Sequence, residues 1–319
     1  MNHLIKKLLA VFLVSTLGLA GCSRKATTRE AKQKKKVIYT TFYPVRDLTK
    51  RIVGDKMEVH QIIRGDQEPH DYELQTKDMA EISKADLIVY NGAGMESFMD
   101  SLKKTVKEDK KFLDLSNGLT LLEAKANHDH DKKEKHKDEH KEEHHVNPHT
   151  WLSIKNAMVE LQSIYEKVSQ LDSENKDFYK KNLEKSLAEF KKLDEKFKTE
   201  LAKLPANSEK YFVVSHSAFN YLARDYGLKQ VAVAGISPEE EPTAKQLKTL
   251  ADFVKSHKIK VIFFEGKATP KVAETLAKET GVRTDVLYTL ESVTSEEEKL
   301  GYLGLMEKNL ENLVKSFHE

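Results

Sequence analysis

The chain has 319 residues, 39% of them hydrophobic and 33% charged, and its 53 Lys and Arg nearly balance 51 Asp and Glu to leave a formal net charge of +2. That length suits two domains of roughly 100 to 200 residues each, and so even a charge balance is not that of a nucleic-acid binder. Cys22 is the single cysteine, which excludes an internal disulfide, a cysteine-based zinc cluster and a Cys/His catalytic pair.

Residues 1–21 carry Lys6 and Lys7, then an apolar run from Leu8 to Ala20, then Leu19-Ala20-Gly21 directly before Cys22. A basic start, a short apolar stretch and small residues at a cleavage point make a signal peptide. The run is shorter than the ~20 residues a membrane-spanning helix needs. With a cysteine at the first mature position, the signal resembles a bacterial lipobox. It predicts cleavage before Cys22 and a lipid on its thiol, with the protein extracytoplasmic and anchored to the cell membrane. Residues 22–36 are then the lipidated cysteine and a tether, SRKATTREAKQKKK, too polar to bury a core.

From Val37 onward, short β-branched runs alternate with amphipathic segments. VIYTTF (37–42), MEVHQII (57–63), DLIVY (86–90) and FLDL (112–115) read as strands. Helices are expected over 45–53, 76–84 and 95–107. Residues 123–147 break this pattern with almost no large apolar groups, and a helix is expected over about 153–170. Next, Leu183, Leu187, Phe190, Leu193, Phe197 and Leu201 recur at spacings of four and three, which predicts one long helix over 172–204. The alternation then resumes with strands YFVVS (211–215), QVAVAG (230–235), VIFFE (261–265) and TDVLYTL (284–290), and a final helix over about 295–317. Strands alternating with helices predict mostly parallel sheets. The expected fold is α/β: two α/β domains, 37–171 and 205–319, joined by the long helix 172–204, with the ligand site in the cleft between them.

Three histidines fall in loops where such sheets present ligands: His70 in RGDQEPHDYE, His149 in NPHTWLS and His216 directly after YFVVS. Pro69 and Pro148 constrain the first two. Three imidazoles and one oxygen make a tetrahedral zinc site, and Glu265, Glu291 and Asp285 are candidates for the oxygen. His60 and His257 are read as structural. Upstream of His149, the run HDHDKKEKHKDEHKEEHH carries His128, His130, His136, His140, His144 and His145. It has natural ligands but no apolar residues to fix a geometry, so an accessory, multivalent metal-gathering role is expected.

The segments PHDYELQTKDMAEISKADLIVYNGAGME, NPHTWLS, VVSHSAFNYLARDYGLKQVAVAGISPEEEPTAKQL and FFEGKATPKVAETLAKETGV resemble the zinc-binding lipoproteins of bacterial ABC importers, the cluster A-I solute-binding family, from about Val37 to the end of the sequence. The resemblance implies a monomer that captures Zn²⁺ outside the cell and delivers it to a membrane permease powered by an ATPase, with no chemical step. Carried over by motif, His70, His149 and His216 match the family's metal histidines, and Glu291 in TLESVTSEE matches the position of a carboxylate ligand. Manganese members replace the third histidine with glutamate and present an aspartate in the last loop, where the resemblance puts Tyr288. The competing readings are a manganese-binding transport lipoprotein, a surface adhesin with a structural metal, and a zinc hydrolase with an open fourth position; against the last, the sequence has neither HExxH nor GxSxG.

Overall fold

The computed structural model of the protein describes residues 34–318 apart from 66, 125–145, 206–208, 241 and 266–270. A first sheet is built from β1 (Val37–Thr40), β2 (Glu58–Gln61), β3 (Leu87–Tyr90) and β4 (Phe112–Asp114) in the order β2-β1-β3-β4. A second, from β5 (Tyr211–Val214), β6 (Lys229–Ala232), β7 (Val261–Phe264) and β8 (Arg283–Val286), repeats that order as β6-β5-β7-β8. Every strand pair in both sheets is parallel. Parallel strands covered on both faces read as unbroken apolar runs, and β3, LIVY, is buried at all four positions.

The helices are α1 (Tyr43–Val53), α2 (Thr76–Ile82), α3 (Met99–Val106), α4 (Ile154–Leu171), α5 (Lys176–Ala202), α6 (Asn220–Tyr226), α7 (Ala244–Ser256), α8 (Lys271–Thr280) and α9 (Ser295–His318). The expected long helix is present as α5, 27 residues or about 40 Å at 1.5 Å per residue. Its start differs from the expectation. Asp172 Oδ2 accepts from Asn175 Nδ2 at 2.8 Å and Tyr179 Oη at 2.6 Å, which sets a separate 3₁₀ turn over Ser173–Asn175. Leu183, Phe190, Leu193, Phe197 and Leu201 are buried along one face and Leu187 packs at its edge. That face lies against α1, α4, α6 and α9, so α5 belongs to a helical layer serving both sheets. One continuous core runs through β1, β3, the layer and β5, while a smaller core fills the space between the second sheet, α7 and α8.

Several other elements are shorter or shifted by a few residues, and two show the cause. The third helix begins at Met99, not Met95, because the buried Glu96 carboxylate turns back to accept from Asn91 N at 2.8 Å and Gly92 N at 3.1 Å. The last strand stops at Val286 because α9 claims the chain beyond it: Asn312 Nδ2 donates to Val286 O, and Asn309 clamps both backbone groups of Tyr288. α9 itself breaks at Gly301, whose φ of 69° suits glycine alone without strain.

Phe190 joins these layers, fully buried and stacked on Tyr302 of α9 at 5.1 Å. Phe190→Ala is expected to lower stability by about 3–5 kcal/mol, measured by urea unfolding of the metal-free protein.

Candidate metal centre

His70 lies in the loop between β2 and α2, His149 just before a 3₁₀ turn at Thr150–Leu152 that leads into α4, His216 two residues beyond the end of β5, and Glu291 between β8 and α9. The fold brings these four together: one potential ligand atom from each lies within 4.8 Å of all the others. The three Nε2 atoms and Glu291 Oε1 point inward. His149 Nε2 is 3.3 Å from His70 Nε2 and 3.1 Å from His216 Nε2. Glu291 Oε1 is 2.8 Å from His149 Nε2 and 3.6 Å from each of the other two. A tetrahedron with metal–ligand bonds of 2.0–2.1 Å has edges of about 3.3–3.4 Å, and these five separations, 2.8 to 3.6 Å, bracket that value.

The cluster is dry. The side chains of His149 and His216 are 0% exposed, Glu291 2% and His70 9%. Each deep histidine is aimed by a partner on Nδ1. Asn147 Nδ2 donates to Ser217 O at 2.8 Å, which leaves Oδ1 as the acceptor for His149 N at 3.0 Å and His149 Nδ1 at 2.8 Å. The proton of a neutral His149 is therefore on Nδ1 and its lone pair on Nε2. Burial keeps it neutral, pushing its pKa down to about 3. Lone pair then faces carboxylate. Although His149 Nε2 is close, the buried Glu291 Oε1 accepts no hydrogen bond. A cation at the centre supplies what these atoms lack.

Glu265 Oε1 contacts His216 Nδ1 and also accepts from Ser215 Oγ. β5 and β7 are neighbours with Val214 opposite Phe263, so the residues two steps on, His216 and Glu265, meet just beyond the strand ends. Burial disfavours a charged His216, but Glu265 and Glu291 outweigh it and hold its pKa well above the usual imidazole range. Burial likewise opposes charge on His70, yet the nearby Glu291 carboxylate raises its pKa. Burial also opposes charge on Glu291, but His216 and the other imidazoles keep its pKa well below the carboxylate range. At the rim, Glu68 is raised to about 7 by burial and by the charge of Glu291.

Of the three candidate oxygens, Glu291 joins the cluster. Glu265 stands behind His216, and Asp285 is paired with Arg283 at 2.6 Å. His60 sits 2.7 Å from Glu58, and His257 stacks on Phe253 at 3.9 Å; neither reaches the site. Cys22 and the six histidines from His128 to His145 lie outside the described residues. The residues that sequence reasoning missed are those that hold the ligands: Asn147, Trp151, Asn309 and Glu265 in its actual role. Trp151, the one tryptophan, carried the clearest signal, two residues after His149.

The model of the family described as zinc-uptake complex component A, periplasmic, matches residues 38–316. The chain belongs to this family. It is 40% identical to the high-affinity zinc uptake system protein ZnuA of Bacillus subtilis (strain 168), with 98% of each chain covered. It is 38% identical to the zinc-binding lipoprotein AdcA of Streptococcus pneumoniae (strain ATCC BAA-255 / R6) over 97% of its own length, and spans 59% of that longer protein. Among solved structures, the Zn(II)-bound ZnuA-like domain of Streptococcus pneumoniae AdcA superposes with a TM-score of 0.74 at 37% identity, covering 90% of this chain and 100% of that one. This family member therefore has the α/β fold of two parallel sheets with a long helix that its sequence predicts.

Two predictions concern protons and the Glu265 carboxylate. The raised pKa values of His70 and His216 mean that an entering cation displaces protons. Affinity for the ion should then fall with decreasing pH, about tenfold per unit for each proton displaced, in competition titrations between about pH 8 and about pH 6. Glu265→Gln keeps an acceptor for His216 but removes the charge, and should weaken metal affinity by about 10- to 100-fold with the metal-free fold intact by circular dichroism.

Proposed function

We propose that the protein is the zinc-binding component of an ABC-type importer, capturing Zn²⁺ outside the cytoplasmic membrane and delivering it to the membrane permease and its ATPase. The observation that carries this reading is the convergence of three imidazole Nε2 atoms on the orphaned, buried carboxylate oxygen of Glu291. His70, His149, His216 and Glu291 are the ligands in this reading. Family membership supports the transport role, as does the Zn(II) bound in the related AdcA domain. Three nitrogens and one oxygen suit zinc; manganese favours oxygen-rich, octahedral surroundings.

No chemical step is involved, and the protein is not an enzyme. The four side chains close the tetrahedron, leaving no position for the water a zinc hydrolase activates. Capture and release are then differences in affinity between conformations: the coordinated ion stabilises the arrangement described here, and docking on the permease favours one in which the ligands are apart. The protein works as a monomer tethered through a lipid on Cys22. Among the described residues no helix is long and apolar enough to cross a membrane. The His-rich run 128–145, upstream of His149 in the sequence, gathers zinc weakly.

A competitive zinc titration on the protein from Ser23 onward, with Mn²⁺ as challenger, tests the reading. One tight zinc site is expected, resistant to Mn²⁺ and retained when residues 128–145 are deleted. His216→Ala and Glu291→Ala should each weaken it by more than 100-fold, since each removes one of four ligands. Loss of tight binding on deleting the run, with His216→Ala harmless, would place the site elsewhere.

A further inference from the structure

His216 and Glu291 follow β5 and β8, which are not neighbours: β7 lies between them in the order β6-β5-β7-β8. No hydrogen-bond ladder joins these two strands directly, and the loops that carry His216 and Glu291 run on beyond the ladders each makes with β7. His149 comes from a different part of the chain again, yet its Nε2 must meet both.

The segment Asn147–Trp151 reaches to each loop. Asn147 lies two residues before His149, and its Nδ2 donates to Ser217 O, next to His216, at 2.8 Å. Trp151 lies two residues after His149, and its Nε1 donates to Thr289 O, two residues before Glu291, at 2.7 Å. The two side chains flank His149 and grip one second-sheet loop each. The segment is itself held fast. Asn91 Nδ2 donates to Pro148 O at 2.8 Å and Thr150 Oγ1 donates to Asn91 Oδ1 at 3.0 Å. Tyr302 Oη donates to Trp151 O, and Tyr221 Oη to Asn147 O at 2.7 Å. The Trp151 ring packs 5.2 Å from the His149 ring and edge-on to Phe42 at 4.9 Å. Asn147, His149, Thr150 and Trp151 are all buried to within 1%.

We propose that Asn147 and Trp151 are positioning residues, a two-pronged bracket by which the segment carrying His149 holds the loops of His216 and Glu291 at ligand distance. The proposal rests on the zinc-site reading above and adds to it the groups that keep three ligands from separate parts of the chain in register. Without the bracket each loop samples positions in which its ligand is out of reach, and binding must first restore the arrangement, which lowers affinity.

Trp151→Phe keeps an aromatic ring against His149 and Phe42 and removes the N–H that reaches Thr289, together with part of the buried indole. The experiment measures zinc affinity by competition with a chromophoric chelator for wild type, Trp151→Phe, Glu291→Gln and the double variant. Metal-free melting temperatures serve as the stability control. Trp151→Phe is expected to weaken zinc about tenfold, the scale of one lost buried hydrogen bond, and to cost little further affinity when Glu291 is already Gln, because the two act through one loop. A merely structural role predicts equal melting shifts with and without zinc and an unchanged affinity, which would overturn the proposal. So would full additivity with Glu291→Gln.

Asn147→Asp tests the other prong even if Trp151→Phe fails to fold. Its oxygen still accepts from His149 while the donor to Ser217 is lost, and the added charge alone would tighten cation binding. Weaker zinc binding supports the bracket, and unchanged or tighter binding overturns that prong. If wild type has no tight zinc site, or Glu291→Gln leaves it intact, it is the underlying zinc reading that fails. Zinc loss in Glu291→Gln with no effect of Trp151→Phe or Asn147→Asp defeats the bracket alone.

Discussion

Three imidazole nitrogens and a carboxylate oxygen crowd one buried point. His149 is neutral with its lone pair on Nε2, 2.8 Å from a Glu291 oxygen that accepts no hydrogen bond. Such an arrangement is unfavourable for the folded chain and persists only where neighbouring structure over-determines it. Each ligand is fixed accordingly. Asn147 orients His149, Glu265 orients His216, and Asn309 grips both backbone groups of Tyr288, three residues before Glu291. Leu290, immediately before Glu291, is buried at a φ of 64°. A non-glycine residue held in that region costs on the order of 1 kcal/mol and is typical of functional sites.

The two deep histidines are supported differently, and the difference bears on what the site accepts. A neutral amide stands behind His149 and a carboxylate behind His216. In the proposed reading a buried Zn²⁺ has two carboxylates close to it, Glu291 in contact and Glu265 one imidazole away, whose charges match those of the ion. A buried charge that is not balanced is expensive. The same carboxylates hold protons on His70 and His216 when no ion is present, which makes the exchange of proton for metal part of capture and release.

The architecture explains how ligands from distant positions meet. Both sheets follow the order in which a strand's neighbours lie on opposite sides of a switch point, and ligand-bearing loops leave from the carboxyl ends of their strands. The helical layer of α1, α4, α5 and α9 packs against both sheets through one continuous core. α9 does double duty: Tyr302 braces the segment of His149 while Asn309 and Asn312 brace that of Glu291.

The strands, the long helix and the three histidines were legible in the sequence because each rests on local information. Apolar periods of two and 3.6 residues mark the elements, and proline or a strand end marks the loops that carry His70, His149 and His216. Family resemblance added Glu291. Spacing could not separate Glu291 from Glu265, since both follow strands of one sheet; only the packed fold shows that Glu265 meets the outer nitrogen of His216 and Glu291 the inner nitrogens. Nor could periodicity show that α9 would end the last strand at Val286, or that Asp172 would set a turn before α5, because side chains far along the chain or in an adjoining turn take those backbone groups. The sequence by itself determined the elements and the ligand types, which depend on composition and near neighbours. Tertiary structure alone decided which carboxylate joins the histidines, which nitrogen carries the proton and what holds the loops together, because these depend on contacts between residues as much as 221 positions apart, as His70 and Glu291 are.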